Sequence, residues 1–146
     1  VHWQRQYLHP WLLAFDAPPR EECTAQRAIS NTPSAALVLL NDPSFVEAAR
    51  ALATRVLTEV KGNDEARLRW AWRVVVGREA QSEEIALIND LLTKHRAEYS
   101  NDPEAANALV SAGISKWPKE IDATELAAWT SVGRALLNLN ETISRN

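Results

Sequence analysis

The sequence of 146 residues contains a single cysteine, Cys23, and no methionine. One cysteine excludes an internal disulfide, and it excludes the C-x-x-C-H motif of covalent c-type haem attachment. The longest apolar run, Ala35 to Leu40, is far shorter than the roughly 20 residues that cross a bilayer. We therefore predict no cofactor in this chain and no membrane insertion. Because the sequence starts at Val1 and not at Met, we expect a processed form or a fragment of a longer protein.

The sequence also lacks a large excess of charge of either sign. Sixteen basic residues against nineteen acidic ones give a formal net charge of −3. A nucleic-acid-binding protein is expected to carry a basic patch or stripe, so we predict no nucleic-acid partner. Twelve of the basic residues are arginines. Arginine favours bidentate and stacked contacts, and we expect several of these side chains to hold carboxylates or aromatic faces.

Recurrent proline signals predict helix starts. The tripeptides Asn31-Thr32-Pro33, Asn41-Asp42-Pro43 and Asn101-Asp102-Pro103 each place a capping residue before a proline. A Thr or Asp side chain accepts a free backbone N–H at the N-cap, and proline fits the first helical position because its missing donor has no partner there. We predict that a helix begins at each of these three prolines.

The strongest apolar pattern runs from Phe45 to Val60, where the i, i+3, i+4 spacing predicts a helix over 43–61. Glu47 and Arg50 fall on its polar side. Gly62 is expected to close its last turn, because glycine readily takes positive φ.

The final helix is predicted to be buried, because it is apolar nearly all round. It follows Asp122-Ala123-Thr124-Glu125, a plausible capping box, and is expected to reach Leu139. Gly133 lowers the helix propensity there, so we expect a neighbouring helix to approach closely. Three other helices are predicted, over about 64–76 with Asp64 as N-cap, over about 82–99 with Ser82 as N-cap, and over 103–113.

These elements predict an all-α fold, an irregular or orthogonal bundle of about six helices around 43–61 and 123–139. Residues 1–146 are predicted to form a single helical domain. Pro10 is expected to break any early helix, so residues 1–15 are predicted as an extended arm. Residues 16–42 are predicted as short helices and turns, and residues 43–146 as the main helical core.

Ordered motifs carry a resemblance to a known family. The sequence resembles the C-terminal domain of unknown function of planctomycete cytochrome-type multidomain proteins, and it looks like the last portion of that domain. The motifs are Phe15-Asp16-Ala17-Pro18, Arg20-Glu21-Glu22-Cys23, Ser30-Asn31-Thr32-Pro33, Leu39-Leu40-Asn41-Asp42-Pro43, Glu47-Ala48-Ala49-Arg50, Val76-Gly77-Arg78 and Leu136-Leu137-Asn138-Leu139-Asn140-Glu141.

The resemblance implies an extracytoplasmic parent protein, periplasmic or secreted. It also implies a c-type haem module elsewhere in that parent, with the upstream domains of the same protein as partners of this chain. The family supplies no accepted activity, so no site residue is carried over. Ser34-Ala35 departs from the family, whose members more often have a larger residue and Gln there.

The first candidate site is the cluster of Asp16, Arg20, Glu21, Glu22 and Cys23. Its carboxylates are at a density that can hold a calcium ion, and the thiol can act as a nucleophile if a helix N-terminus or a histidine lowers its pKa. The alternative is structural: acidic residues in the first turn of a helix interact favourably with its dipole, and a lone cysteine is often a small buried residue.

The second candidate site combines Arg69, Trp70 and Arg73 with neighbouring arginines. Interleaved Arg and Trp side chains can bind polyanions or stack on sugars. The alternative is again structural. Trp70 and Trp72 point about 200° apart on a helix, and Glu65 stands four residues before Arg69 as an ordinary ion pair.

Three functions remain open from the sequence. The first is a structural or interaction module packed against upstream domains of a secreted protein. The second is a carbohydrate- or polyanion-binding module, which requires two or more tryptophans on one open surface. The third is part of an enzyme completed by upstream residues, which predicts a polar cleft beside residues 16–27. This fragment is more simply explained without an activity of its own.

Overall fold

The computed structural model describes residues 10–15, 17, 25 and 33–143. Within them the chain forms α-helices and no strand, so the predicted all-α class is confirmed. The helices in chain order are α1 Pro10–Ala14, α2 Pro33–Asn41, α3 Pro43–Glu59, α4 Asp64–Val76, α5 Ser82–Asn101, α6 Pro103–Val110, α7 Ala123–Leu137 and α8 Asn140–Ile143.

The three proline signals start helices as predicted, and the capping contact is described at two of them. The carboxylate of Asp42 accepts from the backbone N–H of Ser44 at 2.8 Å, and that of Asp102 accepts from Ala105 at 2.9 Å. Gly77 ends α4 with a φ of +84°, in the left-handed region that glycine tolerates. The N-caps of α4 and α5 are Asn63 and Gln81, one residue before the predicted Asp64 and Ser82.

Helix α7 is the centre of the bundle. It shares its most extensive contact with α3, as predicted, and also packs against α2, α4, α5 and α6. Its residues from Leu126 to Gly133 are buried without interruption, so it has no polar face along this stretch. At Gly133 a Cβ atom would stand 3.0 Å from the carbonyl oxygen of Ala49 in α3, which confirms the predicted close approach.

The core forms where α3, α4, α5 and α6 turn their apolar sides toward α7. The helical spacing in each places one large residue fully inside. These residues are Val56, Leu68, Leu92 and Val110, and α7 itself contributes Leu126, Trp129 and Leu136. The burial of a Leu or Val side chain contributes about 1.5–3 kcal/mol relative to exposure.

Several predicted boundaries are wrong. Pro10 starts α1 instead of breaking a helix, because proline suits the first helical position; residues 10–14 are therefore not an extended arm. Helix α6 ends at Val110, not at Gly113. Helix α7 ends at Leu137, and a short α8 that the sequence pattern did not separate follows it. Residues 1–9 of the predicted arm, and most of residues 16–32, lie outside the described part of the chain.

The predicted capping box of α7 is half formed. The carboxylate of Asp122 accepts from the backbone N–H of Glu125 at 2.9 Å. The Glu125 carboxylate does not return to Asp122 but binds Arg96 and the indole N–H of Trp129. Since a charged partner and a buried indole donor compete for this carboxylate, tertiary contacts override the local motif.

Candidate functional site

The two candidate sites from the sequence have different outcomes. Asp16, Arg20, Glu21, Glu22 and Cys23 lie outside the described residues, so the acidic cluster and its thiol stay predictions. Arg69, Trp70 and Arg73 lie on α4 and can be placed.

Arg69 and Arg73 are both engaged by neighbouring groups. A guanidinium nitrogen of Arg69 lies 2.8 Å from the carboxylate of Glu65, the predicted i,i+4 pair, and another donates to the carbonyl of Ala80 at 3.3 Å. Arg73 lies 3.3 Å from Glu79. Both are surface pairs, worth about 0–1 kcal/mol each. Their charge is therefore largely compensated within the chain.

The tryptophans with described side chains do not form an open stacking platform. Trp72 and Trp129 are buried, and Trp70 and Trp117 are half-buried. The face of Trp70 is covered by the guanidinium of Arg55, 5.1 Å from the ring centroid. Within this part of the chain, a sugar ring has no pair of exposed indoles on which to stack.

The structure instead shows three arginines that each bind several groups from other parts of the chain and that the sequence did not identify. We call each of them an arginine centre, and the first is Arg50. It was predicted on the polar side of α3, yet only 3% of its surface is exposed, so that prediction is wrong. Its guanidinium donates to the carbonyls of Val110, Ala112 and Ser115 at 2.5, 2.9 and 2.6 Å. These carbonyls lie at the C-terminal end of α6 and just beyond it, where unpaired backbone acceptors require partners.

Glu47 completes the same contact, one turn before Arg50 on α3. Its carboxylate accepts from the backbone N–H of Ile114 at 2.8 Å and of Ser115 at 3.0 Å. Hydrogen bonds from Ser115 and then from Ile114 hold the pKa of Glu47 below its ordinary value. Together the two side chains fix the backbone of residues 110–115 against α3. We call Glu47 and Arg50 the loop clamp.

The second centre is Arg96 on α5. It binds Asp64 at the start of α4 at 2.5 Å and Glu125 in the first turn of α7 at 2.5 Å. The same Glu125 accepts from the indole N–H of Trp129 at 2.8 Å. Hydrogen bonding from Arg96 is the main cause that lowers the pKa of Asp64. Arg96 therefore joins three helices through two carboxylates.

The third centre is Arg78, in the turn between α4 and α5. It binds Glu84 at 2.6 Å and Glu141 of α8 at 2.7 Å, and its guanidinium lies 5.2 Å from the ring centroid of Trp72. Hydrogen bonds from Arg78, supported by the backbone N–H of Gln81, lower the pKa of Glu84 to about 2. Hydrogen bonding from Arg78 also lowers the pKa of Glu141. This centre ties α8 to the rest of the bundle.

A narrow apolar gap lies between α3, α4 and α7, and it is too small to admit a water molecule. No titratable side chain lines it; the lining residues include Leu52, Val56, Ala71, Trp129 and Leu136. Among the described residues, no group of three or more His, Cys, Asp or Glu side chains is arranged to hold a metal ion. Over the same residues, no helix is both long enough and apolar enough to cross a membrane.

The comparisons with known proteins give a family. Residues 1–92 match the PSD1 family model, described as a protein of unknown function (DUF1553). This chain belongs to the PSD1 family. The matched segment extends into α5 and includes the loop clamp and Arg78. Neither the curated proteins nor the solved structures gave a significant match.

The PSD1 match agrees with the resemblance found in the sequence and is shorter than it. It contains the motifs from Phe15 to Arg78, whereas the motif Leu136 to Glu141 lies beyond residue 92. The association with planctomycetes and with cytochromes stays a prediction.

One surface of this PSD1-family chain is apolar and exposed. Leu13 of α1 is 66% exposed and Leu37 of α2 is 59% exposed. Neither helix contains a charged residue. The ring of Phe15, which follows α1, packs against that of Phe45 in α3 at a centroid distance of 6.3 Å. We call the exposed side of α1 and α2 the α1–α2 surface.

Proposed function

We propose that this chain is a structural and interaction module of a larger extracytoplasmic protein, and that its α1–α2 surface packs against the upstream domains of that protein. The observation that carries the proposal is Leu37, which is 59% exposed on a nine-residue helix without any charge. The extracytoplasmic location and the multidomain parent are expectations from the family resemblance.

The residues of α2 support a contact on both of its sides. Ala35 and Leu39 are buried against the bundle, while Leu37 points about 200° away from each of them. A helix that ends a bundle at solvent is expected to carry polar side chains on its outer side, and one that is apolar all round is usually buried. A partner domain that covers Leu37 and Leu13 would remove their apolar surface from water, which favours binding.

The position of α2 is fixed well enough to serve as an interface. Its C-terminal end is held by Arg134 of α7, whose guanidinium donates to the carbonyl oxygen of Leu40 at 3.0 and 2.5 Å. The next residue after α2 is Asp42, the N-cap of α3. A surface held at its end by α7 and joined directly to α3 loses little freedom when a partner binds.

The charged groups of the described part support the same class of function. Arg50, Arg78 and Arg96 all bind groups on other helices or loops of this chain. They hold elements of the bundle together, which is a structural role.

The test compares hydrogen exchange of α2 in this chain and in the longer natural polypeptide that contains it. We expect slower exchange of the amides around Leu37 in the longer protein, because a packed partner suppresses local opening. Leu37→Lys should abolish the added protection. Leu87→Lys is the control, since Leu87 is 71% exposed on α5 and lies outside the α1–α2 surface. Equal exchange in the two polypeptides would contradict the proposal.

A second experiment addresses the ligand-binding alternatives. Thermal unfolding of the chain is measured with glycans, calcium, zinc or haem added separately. A ligand that binds the folded state raises the melting temperature by mass action. We expect no shift with any of the four. A shift with glycan would favour Arg69, Trp70 and Arg73 as a binding site, and a shift with calcium would favour the acidic cluster.

A further inference from the structure

We infer that α8 is a detachable segment of the bundle. It separates and unwinds while the other helices stay folded, and the contact between Glu141 and Arg78 controls how often this happens. The inference concerns the place where α8 packs against α4 and α7. It makes no use of the α1–α2 surface and does not depend on the proposed function.

Helix α8 is held mainly by its surface contacts. None of its four residues is buried. The backbone N–H groups of Thr142 and Ile143 donate to the carbonyl oxygen of Leu139 at 2.9 and 3.1 Å, so these bonds lie within the segment itself. A helix this short does not persist in water without packing. Separation from the bundle and loss of these two backbone bonds are therefore one event.

The charged attachment of α8 is a bidentate ion pair. Nε and Nη2 of Arg78 donate to the two carboxylate oxygens of Glu141 at 2.7 and 2.9 Å. Thr142 adds a neutral bond from its hydroxyl group to the carbonyl oxygen of Leu136, at 3.0 Å. Removal of the Glu141 charge would therefore abolish the ion pair and leave the neutral bond in place.

Arg78 is positioned independently of α8. The carboxylate of Glu84 in the first turn of α5 accepts from Nη2 and Nη1 of Arg78 at 2.6 and 2.9 Å, and the ring of Trp72 lies beside the guanidinium. Since α4 and α5 hold Arg78, Glu141 is the member of the pair that leaves when α8 separates. Both partners of this pair are partly exposed, so dissolved salt screens their attraction.

Two unpaired polar atoms adjoin the same contact. Nε1 of Trp72 and Oδ1 of Asn138 are buried and have no hydrogen-bond partner among the described residues. The Trp72 ring lies beside Arg78, and Asn138 stands two residues before α8. A buried unpaired polar group costs free energy, and a local opening that admits water relieves this cost. These atoms therefore favour the separated form of α8.

Hydrogen exchange of the full chain, measured by NMR over a range of low urea concentrations, tests whether α8 opens by itself. The amides of Thr142 and Ile143 report on α8, and the amide of Trp129 reports on the core of α7. Local opening exposes little surface, so exchange at Thr142 and Ile143 should depend little on urea. Exchange at Trp129 should rise steeply with urea, because it requires unfolding of the bundle.

Glu141→Gln tests the ion pair with almost no change in volume. We expect it to speed exchange at Thr142 and Ile143 by about three- to tenfold. Glu59→Gln is the matched control, since it removes the same charge from an exposed pair with Arg55 on α3. That pair stays intact when α8 separates, so Glu59→Gln should leave exchange at Thr142 and Ile143 unchanged.

Ionic strength provides a second readout of the same contact. An increase from about 0.01 M to about 1 M salt shortens the screening length from about 30 Å to about 3 Å. Exchange of the α8 amides in the unchanged chain should become about twofold faster or more. Glu141→Gln has no ion pair at this position, so its α8 amides should respond less. Circular dichroism confirms that both variants are folded.

Two results overturn the inference. One is exchange at Thr142 and Ile143 that rises with urea in parallel with exchange at Trp129, because α8 would then open only when the whole bundle unfolds. The other is equal exchange of the α8 amides in the unchanged chain and in Glu141→Gln, because Arg78 would then not hold α8 closed.

Discussion

The carbonyl oxygen of Ala49 lies so close to Gly133 that a Cβ atom on the glycine would stand 3.0 Å from it. This relationship sets the distance between α3 and α7, the two helices with the most extensive contact. Alanine instead of glycine in an ordinary helix interior stabilises by about 1 kcal/mol. Here the added methyl group meets the backbone of a packed helix.

Gly133→Ala is therefore expected to destabilise the chain by about 1 kcal/mol, because overpacking of a core costs about 1–3 kcal/mol and exceeds the gain in helix propensity. Gly133→Val should cost more. Urea unfolding followed by circular dichroism measures both. A more stable Gly133→Ala variant would mean that α3 moves away easily and that the close contact is not important.

Arg50→Met should cost about 3 kcal/mol of unfolding free energy. It keeps apolar volume but leaves the carbonyls of Val110, Ala112 and Ser115 without their donors, and unpaired buried groups cost about 1–3 kcal/mol each. Hydrogen exchange should also accelerate over residues 110–115. Arg55→Met on the same helix is the matched control, since Arg55 is exposed and pairs with Glu59. Similar losses for the two variants would contradict a special role of Arg50.

Arg96→Lys is expected to lower the unfolding free energy by about 1–2 kcal/mol, because an ammonium group cannot form the planar double contacts that Arg96 makes with Asp64 and Glu125. Urea unfolding measures the loss. Arg69→Lys changes an exposed pair with Glu65 and should cost less than about 0.5 kcal/mol. A loss for Arg96→Lys no greater than for the control would argue against the three-helix contact.

Glu84 makes stability depend on acid pH. Arg78 lowers its folded-state pKa from 4.5 to about 2, so its contribution is complete above pH 4.5 and is lost as the pH falls toward 2. Glu84→Gln should melt at a lower temperature than the unchanged chain at pH 7, with the difference shrinking between pH 4.5 and pH 2. Glu83→Gln, on an exposed neighbour, should change little at either pH. A difference independent of pH would exclude Glu84 ionisation as its cause.

Local signals predicted helix starts well and some helix ends poorly. Pro33, Pro43 and Pro103 act through neighbouring atoms only, so three-residue motifs suffice to place them. Pro10 obeys the same rule, but the sequence before it offered no capping residue to favour that reading over a break. The end of α7 at Leu137 was hidden because apolar residues continue to Leu139.

Long-range contacts could not be predicted from periodicity. Arg50 falls on the side of α3 where exposed residues are expected, yet it is buried because its acceptors lie 60 or more residues further along the chain. Nothing in the spacing around Arg50 identifies Val110 or Ser115 as its partners. The general expectation that arginines hold carboxylates and aromatic faces is confirmed at Arg78, although sequence could not name Glu141 as its partner.

Helix α7 also determines when this polypeptide can fold. Residues 123–137 leave the ribosome after α2 to α6, whose apolar sides they cover. Ribosomes add about 5–20 residues per second, so the earlier helices wait on the order of seconds without their native partner. Newly made chains that have not yet released α7 are thus expected to be the form that chaperones bind. The bundle therefore cannot complete its folding before α7 has been translated.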